Sequence, residues 1–128
     1  MSTFPPELKY TNDHEWLRAN GSSYRVGITQ FAVDQLGDIT LVDLPKEGDR
    51  VTRGDRFGTV ESVKSVSDLY APVSGKVIAV NATLKDAPEL VNSEPYGKGW
   101  MIEITPSDQA EVAELLDLAA YQKIVESA

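Results

Sequence analysis

Lys64 has the setting that most clearly predicts chemistry in this sequence. Two short runs rich in β-branched residues flank it, residues 60–62 before it and residues 66–70 after it. This pattern predicts a β-hairpin with residues 63–65 at its tip. A hairpin tip is the most protruding position that a small domain offers. A lysine there suits an amine that another enzyme acylates and that then swings between partners. An ordinary solvated charge is the simpler interpretation, and the neighbouring residues decide against it.

The side chains around Lys64 favour a substrate lysine over a catalytic one. Glu61 and Asp68 are expected on opposite strands near the tip, where they favour the charged form of the amine. Because a charged amine is not a nucleophile, the enzyme that modifies it must activate it. We expect Glu61, Val63, Ser65 and Asp68 to form the surface that this enzyme recognises.

Asp13, His14 and Glu15 form the densest polar cluster of the N-terminal part. His14 is the only histidine, and an enzyme that uses these three residues for acid–base chemistry is a competing hypothesis. Next to Trp16 at a strand start, a structural hydrogen-bonding histidine is the interpretation that we favour. One histidine and no cysteine argue against a transition-metal site.

Short strands and one helix are expected to position these residues in the N-terminal part. The strands are predicted at residues 9–11, 15–19 and 24–28. Asn20-Gly21 predicts a tight hairpin turn. Thr29 is expected to cap a helix over residues 30–36, and Gly37 is expected to end it.

Further strands are predicted along the rest of the chain, at residues 38–44, 57–62, 66–70, 76–80 and 100–104. In the first of these, alternation assigns Ile39 and Leu41 to one face and Val42 and Leu44 to the other. Each strand is bounded by turn residues such as proline and glycine.

The C-terminal part predicts two helices. Thr105 is expected to cap the first, with Pro106 at its first position. The second is expected over residues 119–127, with Tyr121 facing inward.

The middle of the chain contains an internal repeat with a shift of 27 residues. The matched pairs are Ile39/Val66, Val42/Leu69, Leu44/Ala71, Pro45/Pro72, Gly48/Gly75, Val51/Ile78, Gly54/Asn81 and Phe57/Leu84. Such self-similarity indicates a duplicated unit that buries its apolar face against its copy. The predicted fold is mainly β, a flattened β-barrel or sandwich of two quasi-symmetric halves. An N-terminal hairpin, a short helix and C-terminal helices complete it, and Lys64 lies in the link between the halves.

Composition narrows the class of protein. The chain has 128 residues, a formal net charge of −8 and no cysteine. An acidic balance argues against nucleic acid or an anionic membrane as partner. We expect no secretory or transit peptide, and therefore a bacterial cytoplasmic protein or a mature mitochondrial matrix protein.

Two segments around the lysine read Glu61-Ser-Val-Lys-Ser-Val-Ser-Asp68 and Pro72-Val-Ser-Gly75. Together they resemble the lipoyl-attachment motif of the H proteins of the glycine cleavage system. The resemblance runs from about Leu8 to the C-terminal helices. It includes residues 10–16, 27–29, 36–38, 44–45, 95–97 and 99–100.

This resemblance implies a barrel-sandwich hybrid fold and a lipoyl group in amide linkage to Lys64. It implies a carrier protein, not an enzyme, that takes the aminomethyl group of glycine from one partner to the next. The partners would be pyridoxal-phosphate glycine decarboxylase, tetrahydrofolate-dependent aminomethyltransferase, dihydrolipoyl dehydrogenase, which receives the electrons, and lipoylating enzymes. An H-like relay that supplies lipoyl groups to other enzymes is left open.

The loaded arm is expected to lie in a cleft, because its aminomethyl group is cationic and sensitive to water. A buried ammonium needs carboxylate partners. The resemblance places acids near the loaded arm, and we expect Asp13, Glu15 and Asp68 to line the cleft. Gln35 stands where some family members have a histidine, so an imidazole contribution from the helix is not carried over.

Two other carriers share the lysine hairpin. Biotin carriers typically flank their lysine with methionines, whereas Val63 and Ser65 flank Lys64. Lipoyl domains of 2-oxo acid dehydrogenases are shorter and usually have Asp before the lysine. We therefore expect one lipoyl-carrier domain over residues 1–128, with its core at about 38–104 and C-terminal helices at about 106–127.

Overall fold

The structure is a computed structural model that describes Pro5 and residues 7–127. Its short strands, which turn residues separate, form two antiparallel sheets. The strands are β1 Lys9–Tyr10, β2 Glu15–Asn20, β3 Ser23–Ile28, β4 Ile39–Asp43, β5 Arg50–Val51, β6 Arg56–Ser62, β7 Val66–Tyr70, β8 Gly75–Val80 and β9 Ile102–Pro106. The helices are α1 Gln30–Leu36, α2 Thr83–Asp86, α3 Leu90–Ser93, α4 Gln109–Ala113 and α5 Leu118–Ser127. None of the helices in this part of the chain is long and apolar enough to cross a membrane.

The two sheets pack as a sandwich. The large sheet has the strand order β1-β2-β3-β9-β8-β5, and the small sheet has the order β4-β6-β7. Apolar side chains from both sheets share one buried cluster, which includes Val26 and Ile104 from the large sheet and Val60 and Leu69 from the small sheet. The predicted mainly β sandwich is confirmed.

A second apolar cluster lies between the large sheet and helix α5. It contains Leu8, Tyr10, Trp16 and Tyr121, all at most 2% exposed. Trp16 and Leu17 are neighbours in β2 but enter different clusters, because successive side chains of a strand point to opposite faces. Helix α5 therefore covers the N-terminal hairpin that carries the Asp13–Glu15 cluster.

The repeat appears as matched strands in the two sheets. A shift of 27 residues places β4 on β7, and these two strands lie on either side of β6 in the small sheet. The same shift places β5 on part of β8, and these two strands are neighbours in the large sheet. Val42 and its counterpart Leu69 are both buried. Ile39 and Val66 differ, at 4% and 63% exposed, because Val66 begins β7 beside the hairpin tip.

The prediction that Ile39 and Leu41 share one face of β4 is wrong, whereas Val42 and Leu44 both pack towards the core and so share a face, as predicted. Ile39 and Val42 are both buried, whereas Leu41 is 47% exposed. The pairing of β4 with β6 shifts between Ile39 and Leu41. An extra residue at such a bulge reverses the alternation that follows it.

The predicted helix start at Thr105 and Pro106 is also wrong. Both residues belong to β9, where Thr105 pairs with Lys76 and Pro106 with Gly75. The N-cap of α4 is Asp108, whose side chain accepts a hydrogen bond from the Ala110 N–H at 2.9 Å. The C-terminal helices thus begin at Gln109, not at about residue 106.

Candidate functional site

The hairpin tip is held by a short network of hydrogen bonds. The ladder of β6 and β7 ends at the pair Glu61 and Val66. The Ser62 N–H donates to the Ser65 carbonyl at 2.8 Å, and Ser62 Oγ accepts from the N–H groups of Lys64 and Ser65 at 3.2 and 3.1 Å. Lys64 is exposed at the apex of this rigid turn, where the sequence predicted it.

The stem of Lys64 lies against the end of helix α1. Gly37 has a φ of +79° and a ψ of −154°, a conformation that is essentially restricted to glycine. A Cβ atom added at Gly37 would lie 3.4 Å from Lys64 Cε. The Val63 N–H also donates to the Asp38 carbonyl at 3.1 Å. The residue that ends the helix therefore forms a shallow cradle for the lysine.

Asn92, in α3, holds this cradle in place and was not predicted from the sequence. Its side-chain amide donates to the Gly37 carbonyl at 2.9 Å, and its side-chain oxygen accepts from the Ile39 N–H at 2.8 Å. Gly37 and Ile39 precede Asn92 by 55 and 53 positions in the sequence. No local sequence pattern could therefore have indicated these two hydrogen bonds.

Apolar and acidic side chains surround the tip. Val63 and Val66 are 68% and 63% exposed, and Leu41, opposite Glu61 on the next strand, is 47% exposed. Exposed large apolar side chains grouped in this way are typical of interaction surfaces. Of the predicted recognition residues, Asp68 lies further along β7, where Arg56 Nη1 approaches its carboxylate at 3.8 Å.

The three acids predicted from the resemblance line one cavity of about 140 Å³. Asp13 and Glu15 come from the N-terminal hairpin and Asp68 from β7, and Gln35 and Leu36 of α1 close another side. Leu36 directly precedes Gly37, so helix α1 contributes both to this cavity and to the cradle of the lysine stem. The structure thus brings together residues that are far apart in the sequence, and their role stays a prediction.

Glu15 is the most buried of the three acids, at 2% exposed. Its Oε2 accepts a hydrogen bond from the Tyr70 N–H at 2.8 Å, and Thr11 Oγ1 lies 3.5 Å from Oε1. Burial raises the pKa of Glu15 to about 8, although the Tyr70 N–H opposes this shift. Burial thus favours the neutral acid, whereas a cation in the cavity would favour its ionised form.

A second cavity, of about 200 Å³, lies beside the first. Asp13 and Glu15 border both cavities, and Arg53, Glu114 and Pro72 are among the other residues that line the second. An ion pair joins Arg53 to Glu114. Although it is larger, this cavity lacks Asp68 and the residues of helix α1. The smaller cavity is therefore the one that matches the predicted cleft.

His14 has a left-handed backbone conformation, with a φ of 65°. It is the only non-glycine residue with a positive φ in the part of the chain that the structure describes. Its Nδ1 lies 2.8 Å from the hydroxyl of Tyr121, which lies 2.7 Å from Thr29 Oγ1. The ring also packs against Phe31 at 4.6 Å between centroids. Burial lowers the pKa of His14, and Asp13 opposes this shift. These contacts fit the predicted structural, hydrogen-bonding role.

Trp16 is a core residue. It is 1% exposed, and its indole N–H lies 3.0 Å from the carbonyls of both Ile28 and Pro95.

Within the described ranges, no cluster of three or more metal-ligating side chains is present.

Comparisons with known proteins agree with one another. A family model described as glycine cleavage H-protein matches residues 8–128. A glycine cleavage system H protein of Cronobacter sakazakii is 56% identical over 127 residues, which cover 98% of each chain. One from Listeria welshimeri is 55% identical over 121 residues, 94% of this chain and 97% of the relative. The crystal structure of a glycine cleavage system H protein from Mycobacterium marinum matches with a TM-score of 0.87 at 41% identity, covering 96% of this chain and 99% of that one.

Proposed function

This chain belongs to the glycine cleavage H-protein family, and from that premise we propose that it is the lipoyl-bearing carrier of the glycine cleavage system, with the lipoyl group in amide linkage on Lys64. In this role it shuttles the aminomethyl group of glycine from glycine decarboxylase to the aminomethyltransferase, and it passes electrons to dihydrolipoyl dehydrogenase. It is a substrate of these enzymes and of lipoylating enzymes, and not itself a catalyst. Residues 1–128 act as one carrier domain.

The position of Lys64 is the observation that carries this proposal. An acylating enzyme needs an accessible amine on a fixed support, and Lys64 is exposed on a turn that is held by hydrogen bonds to Ser62. A carrier also needs an arm that can leave its resting place. The stem lies against the backbone of Gly37 at the end of α1, and because Lys64 is exposed, an arm attached to it can leave this resting place.

The residues near Lys64 fit a lipoyl group. Helix α1 carries the cradle at its end and also lines a cavity that has apolar walls from Leu36, Val60 and Leu69 and the carboxyl groups of Asp13, Glu15 and Asp68. Apolar walls suit a hydrocarbon chain, and carboxylates suit a cation at its end. When bound, the lipoyl group supplies a disulfide that accepts the aminomethyl group and electrons.

The chain's own residues would shield and hold this cargo. Asp13 and Asp68 offer carboxylates at the rim of the cavity, where both side chains are exposed. Glu15 offers a buried carboxyl group in its interior. Ionisation of Glu15 in response to the cationic cargo would release one proton to solvent, so we expect retention of the cargo to strengthen as pH rises towards 8.

The bacterial relatives support a cytoplasmic site of action. An acidic protein with an exposed apolar tip also suits partners that offer a basic, apolar docking face. The tip residues Glu61, Val63, Ser65 and Asp68 would then form the surface that the lipoylating enzyme recognises.

Reconstitution with purified partners tests the proposal. Lipoylated protein, glycine decarboxylase and labelled bicarbonate should exchange label into the glycine carboxyl group. Lys64→Arg should abolish the exchange, and Lys76→Arg, a change at another exposed lysine, should leave it intact. A lipoylated protein that supports no exchange but donates its lipoyl group to other enzymes would replace the carrier role with the relay.

A further inference from the structure

We infer that His14 and Tyr121 are positioning residues. They set the direction of Asp13 relative to Glu15, and so make retention of the cationic cargo depend on helix α5. This inference rests on the proposed carrier function. His14 also lines the cavity, beside Asp13 and Glu15, and Tyr121 reaches the cavity through His14 and Thr29.

The backbone of His14 is the first observation. A left-handed conformation is unfavourable for a residue with a Cβ atom, although histidine tolerates it better than most. Such a conformation persists where the surroundings impose it, and it is frequent at functional sites. His14 is the residue between Asp13 and Glu15, so its backbone angles set the relative directions of the two acids.

The turn around His14 is held by Thr11 and Thr29. The His14 N–H donates to the Thr11 carbonyl at 3.2 Å, and Thr11 Oγ1 accepts from the N–H groups of Asp13 and Glu15, both at 3.2 Å. The Thr29 N–H donates to the His14 carbonyl at 2.9 Å. The backbone between β1 and β2 is therefore closed on both sides of the histidine.

The side chain of His14 connects this turn to two helices. Tyr121 is fully buried in α5 and stacks on Tyr10 with 4.6 Å between ring centroids. Thr29 is the N-cap of α1, the helix that lines the cavity. Two arrangements of hydrogens satisfy all three groups. Either Thr29 donates to the Tyr121 hydroxyl, which donates to Nδ1 of His14, or the Nδ1–H of His14 donates to the Tyr121 hydroxyl, which donates to Thr29.

The contact gives α5 a direct influence on the acids. A shift of Tyr121 would break the hydrogen bond to His14 and loosen the ring that packs against Phe31. One constraint on the unfavourable backbone at His14 would then be lost, while its hydrogen bonds to Thr11 and Thr29 remain. Asp13 would then be less firmly directed relative to Glu15, because Glu15 stays held by the Tyr70 N–H and by its N–H bond to Thr11.

Tyr121→Phe is the main test, because it removes one hydroxyl and keeps the ring stack on Tyr10. In the unmodified protein, amide hydrogen exchange of residues 13–15 should become faster. In the loaded protein, the aminomethyl group should be lost about threefold to tenfold faster, the factor expected for one buried hydrogen bond. Tyr96→Phe is the matched control. It also removes one tyrosine hydroxyl from the start of helix α1, where that hydroxyl accepts a hydrogen bond from the Gln30 N–H at 2.8 Å, but it leaves the contact between Tyr121 and His14 in place.

Substitutions at His14 separate the backbone from the side chain. His14→Gly accepts the left-handed conformation but removes the ring, so we expect loss of cargo as fast as in Tyr121→Phe. Combined with Tyr121→Phe it should add little, because both changes break one contact. His14→Asn, which tolerates the conformation and keeps a hydrogen-bond acceptor, should recover part of the retention.

Lipoylation and loading of each variant are measured separately, at temperatures well below unfolding. A protein that cannot be lipoylated or loaded would contradict the proposed function. Normal loading with unchanged exchange at residues 13–15 and unchanged loss of cargo in Tyr121→Phe would overturn the positioning role alone. Equal effects from Tyr96→Phe would also overturn it.

Discussion

The side chain of Glu15 joins the two sheets of the protein through the backbone of Tyr70. Glu15 begins β2 of the large sheet, and its Oε2 accepts a hydrogen bond at 2.8 Å from the N–H of the last residue of β7 in the small sheet. The same carboxyl group borders the cavity that we propose for the loaded arm. One buried acid thus serves both the fold and the site.

Glu15→Gln should change how stability depends on pH. The pKa of Glu15 rises from 4.5 to about 8 in the folded protein. Between these values the folded state holds a proton that the unfolded state has released, so this group makes stability fall as pH rises through that window. Glutamine keeps an acceptor for the Tyr70 N–H but does not titrate. Urea unfolding at several pH values should therefore show a flatter profile for the variant between pH 5 and 8.

Glu103→Gln provides a control of opposite sign. Hydrogen bonds from Ser23, and then from Asn20 and Arg25, lower the pKa of Glu103. Its contribution to stability is therefore present at neutral pH and lost as pH falls through that lowered pKa.

If Glu15→Gln lost stability in parallel with the wild type from pH 5 to 8, Glu15 would be ionised in the folded protein.

Carboxylate removal from the cleft should shorten retention of the aminomethyl group. Asp68→Asn and Glu15→Gln each remove one possible partner of the ammonium, and we expect loss of cargo to become roughly tenfold faster. Asp43→Asn is the control, since Asp43 lies in the same row of the small sheet, two strands away, outside this cavity. An unchanged rate of loss in a variant would remove that acid from the site.

Gly37→Ala should disturb both the fold and the lysine. The φ and ψ angles of Gly37 make any side chain unfavourable, by about 1–3 kcal/mol. The added Cβ would also press on the Lys64 stem. Gly54→Ala, at a φ of +87° with open space around it, separates the two effects. Both variants should lower the urea midpoint, and only Gly37→Ala should slow lipoylation by a purified lipoylating enzyme.

Val63→Ser tests the apolar tip as a recognition surface. Burial of a valine side chain contributes about 1.5 kcal/mol or more, so the lipoylation rate should fall roughly tenfold with little change in stability. Ile78→Ser is the matched control, because Ile78 is an exposed aliphatic residue of the large sheet. Equal rates for both variants would show that the enzyme does not contact Val63.

Local signals explain which elements could be predicted from the sequence. Helix α1 has the predicted bounds, because Thr29 and Gly37 act on their immediate neighbours. The hairpin at Lys64 is likewise set by adjacent residues. Longer-range pairing accounts for the errors. The ladder between β8 and β9 extends to Pro106 and overrides the local capping signal at Thr105, and a bulge in β4 reverses the alternation after Ile39.

The site shows the same division. Family resemblance indicated the acids at positions 13, 15 and 68, which the fold brings to one cavity. Asn92 and Tyr121 could not be predicted, because each acts on residues more than 50 positions away. Tyr121 was expected to face inward, but nothing in the sequence connects it to His14.

Peptide mapping by mass spectrometry, after expression with lipoate, tests the central claim most directly. The account predicts one lipoyl increment per chain, on the peptide that contains Lys64, and no increment in Lys64→Arg. A lipoyl increment on any other lysine, or an unmodified Lys64 after exposure to an active lipoylating enzyme, would contradict it.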